Sequence, residues 1–176
     1  TPPAQDGQTL ASSSLPIPPF PSLPADNSLL ISNSRSACDK DLLTQERVTL
    51  CINVSRQQPF PGLDQVQSLR VPVFDDPSED LYKYFDLCSD AIEKTVRRGG
   101  KCLVYCKNGR SRSAAVCTAY LMRHQNLSLQ DAFAMVKTAR PVAEPNIGFW
   151  SQLQNYEEHL QKQPQSHRYS EKRTSV

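Results

Sequence analysis

The sequence predicts an α/β domain with a central mixed, mostly parallel sheet and helices on both faces. Three observations predict it. Short apolar runs alternate with helix-period stripes along the middle of the chain, the pattern of strands joined by covering helices. The run Cys102-Leu103-Val104-Tyr105 is apolar throughout and bounded by Gly99-Gly100, as a strand buried on both faces should be. Residues 114–122 are apolar nearly all round, which suits a buried central helix beside that strand.

The elements follow in order. Residues 29–31 and 49–54 are short apolar runs read as strands, and residues 37–45 can form a helix between them. Residues 68–73 alternate polar and apolar but contain Pro72, which points to an edge strand or a strand end. From Leu81 the stripe Phe85, Cys88, Ile92 and Val96 marks a helix that stops at the glycine pair. Leu129, Phe133 and Val136 mark another after the cap candidate Ser128, and Phe149, Leu153, Tyr156 and Leu160 a last one after Asn146.

Both ends differ from this middle. Half of the 14 prolines fall in the first 24 residues, so residues 1–27 read as a disordered proline-rich arm and 28–161 as the folded domain. Residues 162–176 read as a disordered basic tail, where Lys162, Arg168, Lys172 and Arg173 oppose only Glu171. With the whole chain at +2, the body is close to neutral, and bulk charge gives no reason to expect nucleic acid.

No apolar run reaches the eighteen or so residues of a membrane span, and the first basic side chain is Arg35, so neither membrane insertion nor a signal peptide is expected. The six cysteines do not resemble the framework of a short secreted chain, which predicts cytoplasm or nucleus. No cysteine or histidine cluster has zinc spacing, so the expectation is no metal and no cofactor.

Chemistry concentrates between the central strand and the central helix. There Cys106-Lys107-Asn108-Gly109-Arg110-Ser111-Arg112-Ser113 forms a polar loop. A strand, a short loop and a helix N-terminus make an anion cradle, because loop N–H groups and the helix dipole converge on one point. Lys107, Asn108, Gly109, Arg110, Ser111 and Arg112 are the candidate phosphate-binding residues, with Gly109 and Asn108 tolerant of left-handed backbone. Cys106 at the base is the candidate nucleophile, since dipoles that hold phosphate also favour a thiolate. Arg112 supplies a planar fork for two phosphoryl oxygens, and the Ser113 hydroxyl can donate to the cysteine sulfur. Cys117 and Arg123 repeat the same spacing, but the intervening residues lack glycine and read as helix.

A leaving oxygen needs a proton, and a carboxylic acid is a natural donor. The stretch Asp75-Asp76-Pro77-Ser78-Glu79-Asp80 offers four carboxylates. Asp76, with Pro77 next and Glu79 three residues on, reads as a helix N-cap. Asp75 has no such duty and is the candidate general acid. Between Lys94 and Arg123 eight basic residues occur and no acidic one, a field that draws an anion.

These residues resemble the cysteine-dependent dual-specificity phosphatases, in particular the small atypical members. The landmarks run in order from Asn53-Val54-Ser55 and Val71-Pro72-Val73 through Ser111-Arg112-Ser113 and Ala119-Tyr120-Leu121-Met122 to Arg140-Pro141, Pro145-Asn146 and Gln152-Leu153. The resemblance implies a phosphatase-type P-loop, a phosphocysteine intermediate and metal-free hydrolysis of phosphotyrosine and phosphoserine or phosphothreonine in protein substrates. Two positions depart from the family pattern. Tyr105 stands where histidine is usual, which predicts fewer reactive thiolates, and Lys107 and Asn108 replace the usual filling, which includes a small alanine. Two alternatives therefore accompany the phosphatase: a phosphate-binding pseudophosphatase with little turnover, and a phosphatase for lipid, sugar or RNA phosphates.

Overall fold

The computed structural model describes Leu23 and residues 27–163. Four strands, β1 (Leu29–Asn33), β2 (Leu50–Asn53), β3 (Gln67–Arg70) and β4 (Cys102–Cys106), form one sheet in the order β1-β4-β2-β3. Every pair is parallel, so no antiparallel strand joins the sheet among the described residues. The register sets Leu103 of β4 between Leu30 and Cys51, and Val104 between Ile31 and Ile52.

Side chains alternate across this sheet with the period of two that a strand imposes. Leu30, Cys51, Leu103 and Tyr105 pack on one face with Ala37, Leu43 and Val48, under the short helices α1 (Ser34–Ala37) and α2 (Lys40–Glu46). Ile31, Ile52, Val104 and Cys106 face the larger core. That face is covered by α3 (Phe85–Arg97), α4 (Arg112–His124), α5 (Leu129–Ala139) and α6 (Ile147–Gln161). α4 is buried along almost its whole length, as its uniformly apolar stretch predicts.

The caps follow local chemistry. Ser128 accepts from the Asp131 N–H and Asn146 from the Phe149 N–H, so α5 and α6 begin where the sequence places them. The single helix expected over 37–45 is two. The Asn33 side chain accepts from Ser36 N–H and Asp39 from Leu42 N–H, so two adjacent caps start two helices. β3 ends at Arg70, before Pro72, because proline has no N–H for the ladder.

Leu23, inside the stretch read as arm, is buried in the larger core, and its N–H donates to the Leu29 carbonyl at 2.9 Å. The remainder of that arm through residue 26, and residues 164–176 of the tail, lie outside the described residues. Among those described, no helix is long and apolar enough to cross a membrane.

Candidate active site

β4 is an inner strand, and its carboxyl end opens directly into the loop 107–111 that leads to α4, the position at which parallel α/β sheets bind ligands. Gly109 has φ +65, and a Cβ there would lie 2.6 Å from Arg140 Nη2 and 2.8 Å from the Ser32 carbonyl oxygen. Glycine is therefore required both by backbone conformation and by close packing. Arg140 Nε donates to the Gly109 carbonyl at 2.6 Å and Nη2 to the Asn108 carbonyl at 3.1 Å, while Ser34 N–H reaches the Lys107 carbonyl at 3.3 Å. Three successive carbonyls are thus engaged from outside the loop. No backbone hydrogen bond donated by Asn108, Gly109, Arg110 or Ser111 occurs among the described residues. Unspent N–H groups at a helix N-terminus are what an oxyanion needs.

Cys106 and Ser113 meet inside this curl, with Sγ 3.2 Å from Oγ and both side chains buried. Arg112, the first residue of α4, donates from Nη1 to the Val73 carbonyl at 3.1 Å. The residue is only 9 % exposed and its Nε is buried without a hydrogen-bond partner. A buried guanidinium N–H left unpaired costs several kcal/mol by the usual scale of roughly 1–3 for a neutral group and more for a charged one. An oxyanion in the curl would meet that need.

The Val73 carbonyl belongs to the segment that carries Asp75. Asp75 is exposed, and its Oδ1 accepts from Asn146 Nδ2 at 2.9 Å. Asn146 also donates its backbone N–H to Ser111 Oγ at 2.9 Å while its Oδ1 caps α6, so one residue links the Asp75 segment, the loop 107–111 and a helix. The neighbouring carboxylates each accept a nearby backbone N–H. Asp76 accepts from the Ser78 N–H at 2.8 Å and hydroxyl at 2.7 Å, which holds its pKa below the usual carboxylate range. Glu79 accepts from the Phe74 N–H at 2.7 Å, and Asp80 from the Lys83 N–H at 3.2 Å. Asp76 does not cap a helix at Pro77: it closes a turn, and the first helical residues are the 3₁₀ turn Tyr82–Tyr84. The loop lies so close to α6 that a Cβ on Gly148 would collide with the Pro77 backbone.

Tyr105 points to the opposite face of the sheet from Cys106, and its hydroxyl donates to the Pro59 carbonyl at 2.7 Å. Burial pushes that hydroxyl well above the usual tyrosine pKa. Arg70 straps the same stretch, donating to the Ser55 and Gln58 carbonyls at 3.1 and 2.8 Å. Lys107 and Asn108 are exposed on the rim, and the Arg110 side chain pairs with Glu144 at 3.1 Å.

All the expected site residues therefore gather at one end of the sheet, but two more were given no role from the sequence. Arg140 and Asn146 stand among the landmarks of the resemblance, and the sequence by itself points to Asn146 only as a cap. Their loop contacts span 31 and 35 residues. Among the described residues no group of three or more His, Cys, Asp or Glu could hold a metal ion.

The catalytic domain of dual specificity phosphatases, as a family model, matches residues 29–159. Dual specificity phosphatase 28 from Homo sapiens is 60 % identical over 161 residues, 92 % of this chain and 90 % of that one. The crystal structure of a tyrosine-to-histidine variant of the human phosphatase superposes with a TM-score of 0.80 at 60 % identity, covering 84 % of this chain and 99 % of that one. A mouse putative dual specificity phosphatase, solved in complex with zinc tungstate, gives 0.77 at 59 % identity over 86 % of this chain and 94 % of that one.

Proposed function

The chain belongs to the dual specificity phosphatase family, and from that premise we propose that it hydrolyses phosphate monoesters on phosphotyrosine, phosphoserine and phosphothreonine of proteins through Cys106. The cysteine, as thiolate, attacks phosphorus; a sulfur–phosphorus bond forms, the ester bond breaks, and Asp75 gives its proton to the leaving oxygen. Arg112 and the loop N–H groups hold the other phosphoryl oxygens, whose charge they match better in the transition state than water does. In the second step water attacks phosphorus and Asp75 takes its proton. The sulfur–phosphorus bond breaks, the Ser113 hydroxyl stabilises the departing sulfur, and inorganic phosphate leaves.

The observation that carries this reading is the buried, unpartnered Nε of Arg112, on the same strand–loop–helix that joins Cys106 to Ser113. The mouse neighbour, 59 % identical, was solved in complex with zinc tungstate, and binding of a tetrahedral oxyanion by so similar a protein supports an oxyanion-binding role for this chain. The Arg110–Glu144 pair weighs against multiply charged lipid or RNA phosphates, since it withdraws a cation from the rim. Six unpaired cysteines support a reducing compartment, cytoplasm or nucleus.

A second reading, a phosphate-binding protein with little turnover, has one observation in its favour. Tyr105 spends its hydroxyl on Pro59, so residue 105 gives the P-loop no side-chain bond. Hydrolysis of an aryl phosphate from about pH 5 to 8, beside a Cys106→Ser variant, separates the two. Turnover that vanishes in the variant supports the phosphatase; no turnover by either protein gives the binding reading the lead.

A further inference from the structure

Among the described residues four large apolar side chains are exposed: Phe74 at 53 %, Leu87 at 53 %, Val142 at 49 % and Ile147 at 80 %. Three of the four border the site, Phe74 and Val142 on loops and Ile147 as the first residue of α6. Phe74 directly precedes Asp75 and Ile147 directly follows Asn146, so the 2.9 Å bond between Asp75 and Asn146 brings both to the same part of the rim. Val142 sits in the turn closed by the Ala143 N–H on the Arg140 carbonyl, and Arg140 grips the P-loop. One helical turn beyond Ile147, half-buried Trp150 packs edge-on against Phe133 at 5.2 Å, which extends the apolar surface. Single exposed apolar residues are ordinary, but several around one opening mark a contact surface.

Charge on this rim points the same way. Arg56 pairs with Glu79 at 3.4 Å and lies 4.6 Å from the Phe74 ring centroid, and Arg110 pairs with Glu144. Two of the cations that acidic residues would seek are already matched by carboxylates, and Asp75 and Asp76 add negative charge beside them. Lys107 lacks such a pair among the described residues, but it belongs to the phosphoryl cradle itself. We propose that this mouth selects phosphorylated protein segments whose residues beside the phosphoresidue are aliphatic or aromatic, and disfavours acidic ones. The proposal rests on the phosphatase reading for one point only, that the Cys106 loop receives the phosphoryl group.

The test uses the Cys106→Ser protein as a trap and two phosphotyrosine peptides of equal length, one with leucine and one with aspartate at the two positions on each side. Fluorescence anisotropy should show the leucine peptide bound about tenfold more tightly, the scale of one half-buried aliphatic side chain plus the lost repulsion. Adding Ile147→Ser, a change at an 80 % exposed position, should cut that ratio to about threefold or less. Equal affinities, tighter binding of the aspartate peptide, no binding of either, or a ratio unmoved by Ile147→Ser would overturn the proposal. Turnover of a small aryl phosphate by the unaltered protein reports on the phosphatase reading alone. Turnover without peptide discrimination sinks only the rim, and discrimination without turnover sinks only the enzyme.

Discussion

Two stretches of this chain carry a cysteine with an arginine six positions later, Cys106 with Arg112 and Cys117 with Arg123. The first runs from the end of β4 through the loop to the first residue of α4, and the second lies wholly inside α4. Six helical residues turn about 600°, so a cysteine and arginine so spaced point roughly 120° apart. Cys117 is accordingly buried in the core, its thiol pushed far above the usual pKa by burial, while Arg123 binds Asp90 at 2.9 Å and Asp86 at 3.5 Å. Arg112 instead meets no carboxylate among the described residues, donates to the Val73 carbonyl and keeps its Nε–H open. The spacing makes a site only where the backbone reverses, and an arginine serves a ligand only where protein carboxylates have not already claimed it.

This contrast can be tested by parallel substitutions. Cys106→Ser should remove turnover of an aryl phosphate to background, whereas Cys117→Ser should leave kcat within about twofold, because only the first removes the nucleophile. Arg112→Lys should lower kcat/KM by about 10²–10³-fold, since an ammonium replaces neither the fork nor its fixed direction. Arg123→Lys should leave activity alone and lower the melting temperature, with a cost of about 0.5–1 kcal/mol for the partly exposed pair. If both arginine variants lose activity equally, the division between the two pairs is wrong.

The same contrast separates adjacent carboxylates. Asp75 is tied through Asn146 to the loop after β4, and Asp76 is spent on Ser78. Asp75→Asn should reduce kcat about 10²-fold for alkyl phosphates and less for aryl phosphates with good leaving groups, a difference a merely structural residue would not produce. Asp76→Asn should leave kcat unchanged and act on stability only weakly. Its folded pKa is depressed because the Ser78 N–H and hydroxyl favour the charged form. The stabilisation is therefore present above the unfolded carboxylate pKa of about 4 and is lost as pH falls through the folded value. The difference in melting temperature between the two proteins should be steady at neutral pH and vanish in acid.

Much of the site could be read along the chain because it is local. Cys106, the loop, Arg112 and Ser113 are contiguous, and Ser128 and Asn146 cap helices through bonds to N–H groups three residues on. Local chemistry also misled where two outcomes share it. A carboxylate at Asp76 bonds the N–H two residues on equally well in a turn, and Asn33 and Asp39 each start a helix where one was expected. Leu23 sits among prolines, and nothing nearby announces that its side chain completes the core.

Residue order along the chain determined the strand–loop–helix and placed the candidate nucleophile and its candidate clamp on it, since a thiol at a strand end and N–H groups at the next helix start need no distant partner. Packing settled the rest. Asp75 reaches Asn146 across 71 residues, Arg112 reaches Val73 across 39, and Arg140 grips the loop across 31. The first of these depends on how α6 and the Asp75 segment press together at Gly148 and Pro77. Side-chain periodicity records which face of an element is buried, and it carries no information about which remote polar group that burial brings within 3 Å.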